Sequence, residues 1–185
     1  IILLYTAATH HRSTIWADPS ALWRDVAEKS PHSGRAHFQL AYALYEEGKC
    51  AEALDQYAQA AERMPEDQAT YLNWALAHEC LGQGEKALER LRKAASIRET
   101  AHVYSQIGMV LGKQGRAAEA REALERARNL NPNFDMTYVY LGNLAVAEGR
   151  LEEARQLFLE ALSRNPANTA AQAVIRVVRQ RSGVQ

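Results

Sequence analysis

Two cysteines, six histidines and the glutamate pairs Glu46-Glu47 and Glu152-Glu153 are the residues of this chain that chemistry could use by type and spacing. His10-His11 could offer imidazoles to a metal ion. Adjacent residues diverge on a helix, however, and no third ligand stands nearby, so the pair reads as a solvated loop or helix end. His37 and His78 sit within apolar helical patterns, where packing explains them better than catalysis. Glu46-Glu47 and Glu152-Glu153 would need a closed pocket to divide the roles of general acid and base. Both pairs fall near helix ends and read as solvated surface. No G-x-S-x-G, glycine-rich phosphate loop or H-E-x-x-H is present. The expectation is a chain that catalyses nothing and holds no metal or cofactor. Cys50 and Cys80 fall at the same edge of two neighbouring predicted helices. A disulfide in an oxidising compartment and two separate thiols are both open at this point. Two cysteines exclude a disulfide-stapled mini-domain and a four-cysteine zinc site.

Elements must position these side chains, and the composition says which. Alanine occurs 33 times in 185 residues and proline 5 times. That balance favours helices. Hydrophobic residues make up 47% and charged residues 24%, so the chain can bury a core. Its 22 basic and 22 acidic residues cancel. A nucleic-acid partner is therefore not expected, because phosphate binding needs a basic excess. No apolar run reaches the roughly 18–20 residues of a membrane helix.

A period of about 34 residues organises the sequence. Pro31, Pro65, Pro132 and Pro166 keep it, as do Gly48, Gly82, Gly115 and Gly149. Two alanine series keep step: Ala53, Ala87, Ala120, Ala154, and Ala60, Ala94, Ala127, Ala161. Each period predicts two helices. The glycine ends the first because it accepts positive φ without a Cβ clash. The proline stops the second because it cannot donate to the helix ladder. Tyr57, Leu91, Leu124 and Phe158 stand four residues after the first alanine series. Small residues beside large ones at fixed offsets predict a tightly approached helix pair.

These markers resemble the tetratricopeptide repeat family, whose pattern runs aromatic, leucine, small residue and aromatic, then alanine, aromatic and proline. Repeat 34–67 supplies His37, Leu40, Ala41, Leu44, Ala53, Tyr57 and Pro65. Repeat 68–100 supplies Tyr71, Trp74, Ala75, His78, Ala87 and Leu91. It is one residue short, with Glu99 in the proline's place. Repeat 101–134 supplies Tyr104, Ile107, Gly108, Leu111, Ala120, Leu124 and Pro132. Repeat 135–168 supplies Tyr138, Leu141, Gly142, Ala145, Ala154, Phe158 and Pro166. The resemblance implies an all-α fold, a right-handed α-solenoid of helix-turn-helix repeats. Helical caps are expected at both ends. Residues 18–33 read as an N-capped half repeat with Trp23 and Val26 inward. Residues 169–185 read as a last helix and tail, with Ala170, Val174, Ile175 and Val178 as its apolar face.

In that family the first helices line a concave groove that binds a peptide or protein segment. The resemblance assigns to this surface Phe38, Gln39, Tyr42 and Tyr45, then Asn73 and Leu76, then Gln106 and Met109, then Tyr140 and Asn143. Arg35, Leu72, Glu79, His102, Ser105, Lys113, Met136 and Val139 lie along the same stripe. One subfamily clamps a peptide's C-terminal carboxylate with lysine and asparagine. The matching positions here are Phe38, Tyr42, Asn73, His102 and Gln106, and only Asn73 fits. The groove is instead aromatic and amide-rich, suited to an apolar or extended polypeptide.

Residues 1–17 open on the apolar run IILLYTAA, either the stub of a membrane helix or a short helix packed on the repeats. The chain begins at Ile1, which reads as a processed product or a fragment. Thr9, Arg12, Trp16, Asp18, Leu22-Trp23, Asp25, Ser30-Pro31 and Arg35-Ala36-His37 resemble a junction in polytopic membrane proteins related to O-mannosyltransferases. There the last membrane helix meets extracytoplasmic repeats. Two functions follow: a non-enzymatic interaction scaffold, or the substrate-recruiting tail of a membrane-bound glycosyltransferase whose catalytic part lies elsewhere. An extracytoplasmic, membrane-attached location follows if 1–17 continues a membrane helix, and a cytoplasmic one otherwise. Exposed apolar ends would also permit homo-oligomers.

Overall fold

Four times in this chain a glycine at positive φ turns one helix into the next. Gly48, Gly82, Gly115 and Gly149 have φ of 76°, 68°, 76° and 75°. In each turn the following residue donates back to the third carbonyl from the helix end, as Lys49 does to Leu44 and Arg150 to Ala145. The glycine itself donates one residue further on. This Schellman pairing satisfies carbonyls that the helix end would otherwise orphan.

The computed structural model describes residues 18–182, and side chains as far as 176. The described residues form ten helices and no strand. They are α1 (Pro19–Lys29), α2 (Gly34–Glu46), α3 (Cys50–Arg63), α4 (Gln68–Cys80), α5 (Gly84–Ile97), α6 (Ala101–Lys113), α7 (Ala117–Leu130), α8 (Asp135–Ala147), α9 (Leu151–Arg164) and α10 (Thr169–Ser182). Residues 1–17, with His10-His11 and the expected membrane-helix stub, lie outside the described residues. Among the described residues no helix is long and apolar enough to cross a membrane.

A side chain caps α1 and three of the four repeat first helices, the exception being α8 behind Phe134. Asp18, Ser33, Asp67 and Thr100 accept from the exposed N–H groups of α1, α2, α4 and α6. Helices α3, α7 and α9 start behind Lys49, Arg116 and Arg150 with no side-chain cap, because the glycine turn already sets their entry.

The chain divides into two compact units at Arg90 and Leu91. In the first, α1 packs on α2, α2 on α3 and α3 on α4. Ala53, Tyr57, Leu40, Ala41 and Leu44 form its core, with Trp23, Val26 and Trp74 partly buried against it. In the second unit α6 pairs with α7 and α8 with α9. Ala120, Leu124, Ala127, Ala154, Phe158 and Ala161 are fully or almost fully buried there. The small residues of the first helices permit this approach. A Cβ on Gly108 would stand 2.4 Å from Leu124, and one on Gly142 would stand 2.9 Å from Phe158.

Two expectations need correcting. On α10 the buried residues are Ala171 and Ile175, whereas Ala170 is exposed and Val174 half-buried. The i, i+4 pair facing α9 starts one residue later than the apolar run suggests. Leu72, Ser105 and Val139 are buried rather than surface-lining. Each is the fifth residue of its repeat, and for Ser105 that register faces the next first helix. Ser105 and Thr137 show the contact, with their hydroxyls 2.8 Å apart between α6 and α8.

Candidate functional site

With Leu72, Ser105 and Val139 buried, the sixth and ninth residues of each first helix form the middle of the accessible stripe, with Arg35, His102 and Lys113 exposed at its ends. In the first unit these are Gln39 and Tyr42 on α2, then Asn73 and Leu76 on α4. Tyr42 is the open one, at 43% exposure. Phe38 meets Tyr57 edge-on at 6.0 Å, and both Phe38 and Tyr45 are partly buried against the core. Their aromatic character therefore serves packing as much as any ligand. Asn73 donates its side-chain N–H to the Ala69 carbonyl at 2.8 Å, so its amide is oriented by its own helix.

In the second unit the stripe comprises Gln106 and Met109 on α6, then Tyr140 and Asn143 on α8. Burial pushes the Tyr140 phenol above its ordinary pKa, and a hydrogen bond with Gln106 opposes the shift. The Gln106 side-chain oxygen is buried without a partner. Beside these residues lies a cavity of about 230 Å³, lined by Gly108, Met109, Gly112, Lys113, Tyr140, Asn143, Leu144 and Ala147. The sequence places Met109, Lys113, Tyr140 and Asn143 on this stripe, and does not point to Gly108, Gly112, Leu144 and Ala147 as lining. Gly112 carried a legible signal. The same register of the other first helices holds Tyr45, Glu79 and Val146.

The remaining chemistry-bearing residues serve structure. His37 is buried, with Nε2 3.0 Å from the Pro31 carbonyl and Nδ1 2.9 Å from the Gln56 amide. His78 Nδ1 donates to Gln83 Oε1 at 2.9 Å. Burial holds its pKa below the ordinary histidine value. The Arg90 guanidinium stacks 4.0 Å over the Trp74 ring. Cys50 and Cys80 are joined by a disulfide with their Cα atoms 6.3 Å apart. It ties the start of α3 to the end of α4. Among the described residues no group of three or more His, Cys, Asp or Glu is placed to hold a metal.

Glycine turns, small-against-large helix contacts and capped first helices recur through both units. A tetratricopeptide repeat family model matches residues 20–69 and 106–176. The chain belongs to the tetratricopeptide repeat family. Human protein O-mannosyl-transferase TMTC3 is 27% identical over 167 residues, 90% of this chain but 16% of that protein. The Drosophila melanogaster Tmtc3 protein is 27% identical over 164 residues, again 16% of its length. The chain therefore spans less than a fifth of these relatives. Among solved structures, TTC0263 of Thermus thermophilus superposes with a TM-score of 0.75 at 21% identity, over 95% of this chain and 93% of that one. YrrB, described as a tetratricopeptide protein with an unusual peptide-binding site, gives 0.62 at 21% identity, over 87% and 84%. At such identities the likeness establishes the tetratricopeptide fold.

Proposed function

We propose that this chain is a non-enzymatic interaction module that grips a polypeptide segment on the face lined by its first helices. One observation carries the reading. The side chains at the sixth and ninth registers are four amides, two tyrosines, a leucine and a methionine, and in the second unit they flank an apolar cavity. Tyrosine and methionine give large contact area with little loss of freedom, and amides match the donors and acceptors of an extended backbone. The likeness in fold to YrrB, described as having an unusual peptide-binding site, supports the same reading. The test is retention of an immobilised random-sequence peptide library by the full chain and by Tyr140→Ala. Glu122→Ala, on exposed α7 surface, is the control. Retention should fall in Tyr140→Ala alone. Equal retention by all three proteins, at equal helicity, would remove the face from the proposal.

A second reading is favoured by the TMTC3 match over 90% of the chain. It makes this module the substrate-recruiting part of a membrane-bound glycosyltransferase, with the chemistry done outside these residues. An antibody raised against 34–168 would test it on separated membrane and soluble extracts. A membrane band far above ~20 kDa agrees with the tail reading. A soluble band near the chain's 20.7 kDa contradicts it.

A further inference from the structure

The second unit builds the counterpart of the α3–α4 junction without a disulfide. Cys50 is the seventeenth residue of repeat 34–67 and Cys80 the thirteenth of repeat 68–100. The same registers of repeats 101–134 and 135–168 hold Ala117 and Ala147, and α7 packs on α8 all the same. Packing at this junction therefore does not require a covalent tie. The two ends of the bond also differ in access. Cys50 is 2% exposed, whereas Cys80, the last residue of α4, is exposed. Thiol–disulfide exchange needs a thiolate to reach one of the sulfurs, so access at one end is enough, and exposed disulfides are the labile ones.

We propose that the Cys50–Cys80 bond is a reducible latch on α4, opened by a dithiol reductant that attacks at Cys80. The inference is independent of what the first-helix face binds. One thiolate of the reductant forms a bond to the Cys80 sulfur as the Cys50–Cys80 bond breaks, and Cys50 leaves with the electron pair as a thiolate. The reductant's second thiolate then attacks the reductant sulfur of this mixed disulfide and releases Cys80. The reductant ends as a disulfide and the chain gains two electrons. The two protons that the reductant gives up are taken by Cys50 and Cys80. Cys50 suits the leaving role because it is the first residue of α3, whose first turn has no side-chain cap. A helix N-terminus favours a thiolate over a thiol. The side-chain charges next to it in sequence are already matched, Lys49 with Glu47 at 2.8 Å and Glu52 with Arg24 at 3.4 Å. Reduction frees the end of α4 from the start of α3. In a repeat fold each element leans on its neighbours alone, so the loosening stays local. Helix α4 carries Asn73 and Leu76, so the latch sets how firmly that part of the stripe is held.

The test uses the full chain without denaturant and two probes, glutathione and dithiothreitol. After brief exposure to glutathione and an acid quench, peptide mapping should find the mixed disulfide on Cys80 and not on Cys50. Dithiothreitol should reduce the native bond at a rate within about tenfold of that in denaturant. Amide hydrogen exchange of the reduced chain should rise about tenfold in α4 and stay unchanged in α8 and α9. Cys50→Ala combined with Cys80→Ala should show the same pattern with no reductant present, which separates loss of the bond from any other effect of the reagent. Reduction that occurs only in denaturant would make the bond a structural staple and overturn the proposal. Glutathione found on Cys50 would overturn the route of attack. Exchange that rises equally in both units, or in neither, would overturn the latch. All of these outcomes leave the binding reading of the first helices where it stands, because no ligand enters the experiment.

Discussion

Arg126 reaches back to Glu99 and donates through Nη2 to both carboxylate oxygens, at 2.6 and 2.5 Å. Tyr104 donates its hydroxyl to the same carboxylate at 2.8 Å, and the guanidinium lies 5.0 Å from the Tyr104 ring centre. Glu99 occupies the place where the period calls for a proline. Here an ionic clasp stands in for the proline as the link between the turn and the helices that follow it.

The Tyr104 hydroxyl and then Arg126 hold Glu99 below the usual carboxylate range. A carboxylate stabilised in the folded state contributes above the unfolded pKa and loses that contribution as pH falls through the folded one. Glu99→Gln should therefore lower the melting temperature at neutral pH. The gap to the parent protein should close well below pH 4.5, the ordinary glutamate value. Because the pair is exposed, molar salt should also shrink the gap. A gap independent of pH would mean the charge contributes nothing.

Tyr57 makes the opposite case. It is fully buried, and its hydroxyl has no partner. Burial pushes its pKa well above the ordinary tyrosine value. Tyr57→Phe removes an unsatisfied group and keeps the ring, so stability should hold or rise by up to about 1 kcal/mol. Tyr57→Ala should cost about 3–5 kcal/mol through the cavity it leaves. Chemical denaturation of both variants checks the pair. A large loss in Tyr57→Phe would show that the hydroxyl finds a partner.

His78 couples stability to mild acid. Burial lowers its pKa first. Arg90 and Lys86 push the same way, while the Gln83 bond and Glu89 oppose them. The unfolded chain thus binds a proton at higher pH than the folded one. Stability from this site is complete above the ordinary value of 6.5 and declines as pH falls below it. The slope of melting temperature against pH over that range should flatten in His78→Gln. The slope is the quantity to read, since the substitution also perturbs packing. An unchanged slope would assign the titration elsewhere.

The Cys50–Cys80 bond closes a loop of 30 residues in sequence separation. Constraining the unfolded chain over such a loop is worth about 3–4 kcal/mol in the loop-entropy picture. Cys80→Ser should lose stability of that order, and reductant should not destabilise it further. Alkylation without reductant should leave the parent unlabelled, and alkylation after reduction should add two labels. Two labels without reductant would refute the bond and, with it, the oxidising surroundings it needs.

Much of the fold was legible because its signals are local. Each glycine turn needs one residue at positive φ, and Gly48, Gly82, Gly115 and Gly149 announce themselves by spacing alone. Asp18 and Pro19 likewise mark the start of α1, because capping involves only the next few residues. The candidate stripe was readable in the same way, since Gln39, Tyr42, Asn73, Leu76, Gln106, Met109, Tyr140 and Asn143 recur at helical spacing.

Sequence by itself determined the helices, their turns and the alternation of small and large residues between paired helices. These follow from backbone conformation and from a period repeated often enough to be counted. Tertiary structure alone decided which edge of the stripe stays open. Leu72, Ser105 and Val139 satisfy the helical spacing as well as Asn73 or Tyr140 do, yet they are buried, Ser105 against Thr137 of the next first helix. Whether a glycine admits a neighbour or leaves a vacancy depends on how far away the facing atoms lie, and those atoms belong to other turns of the chain.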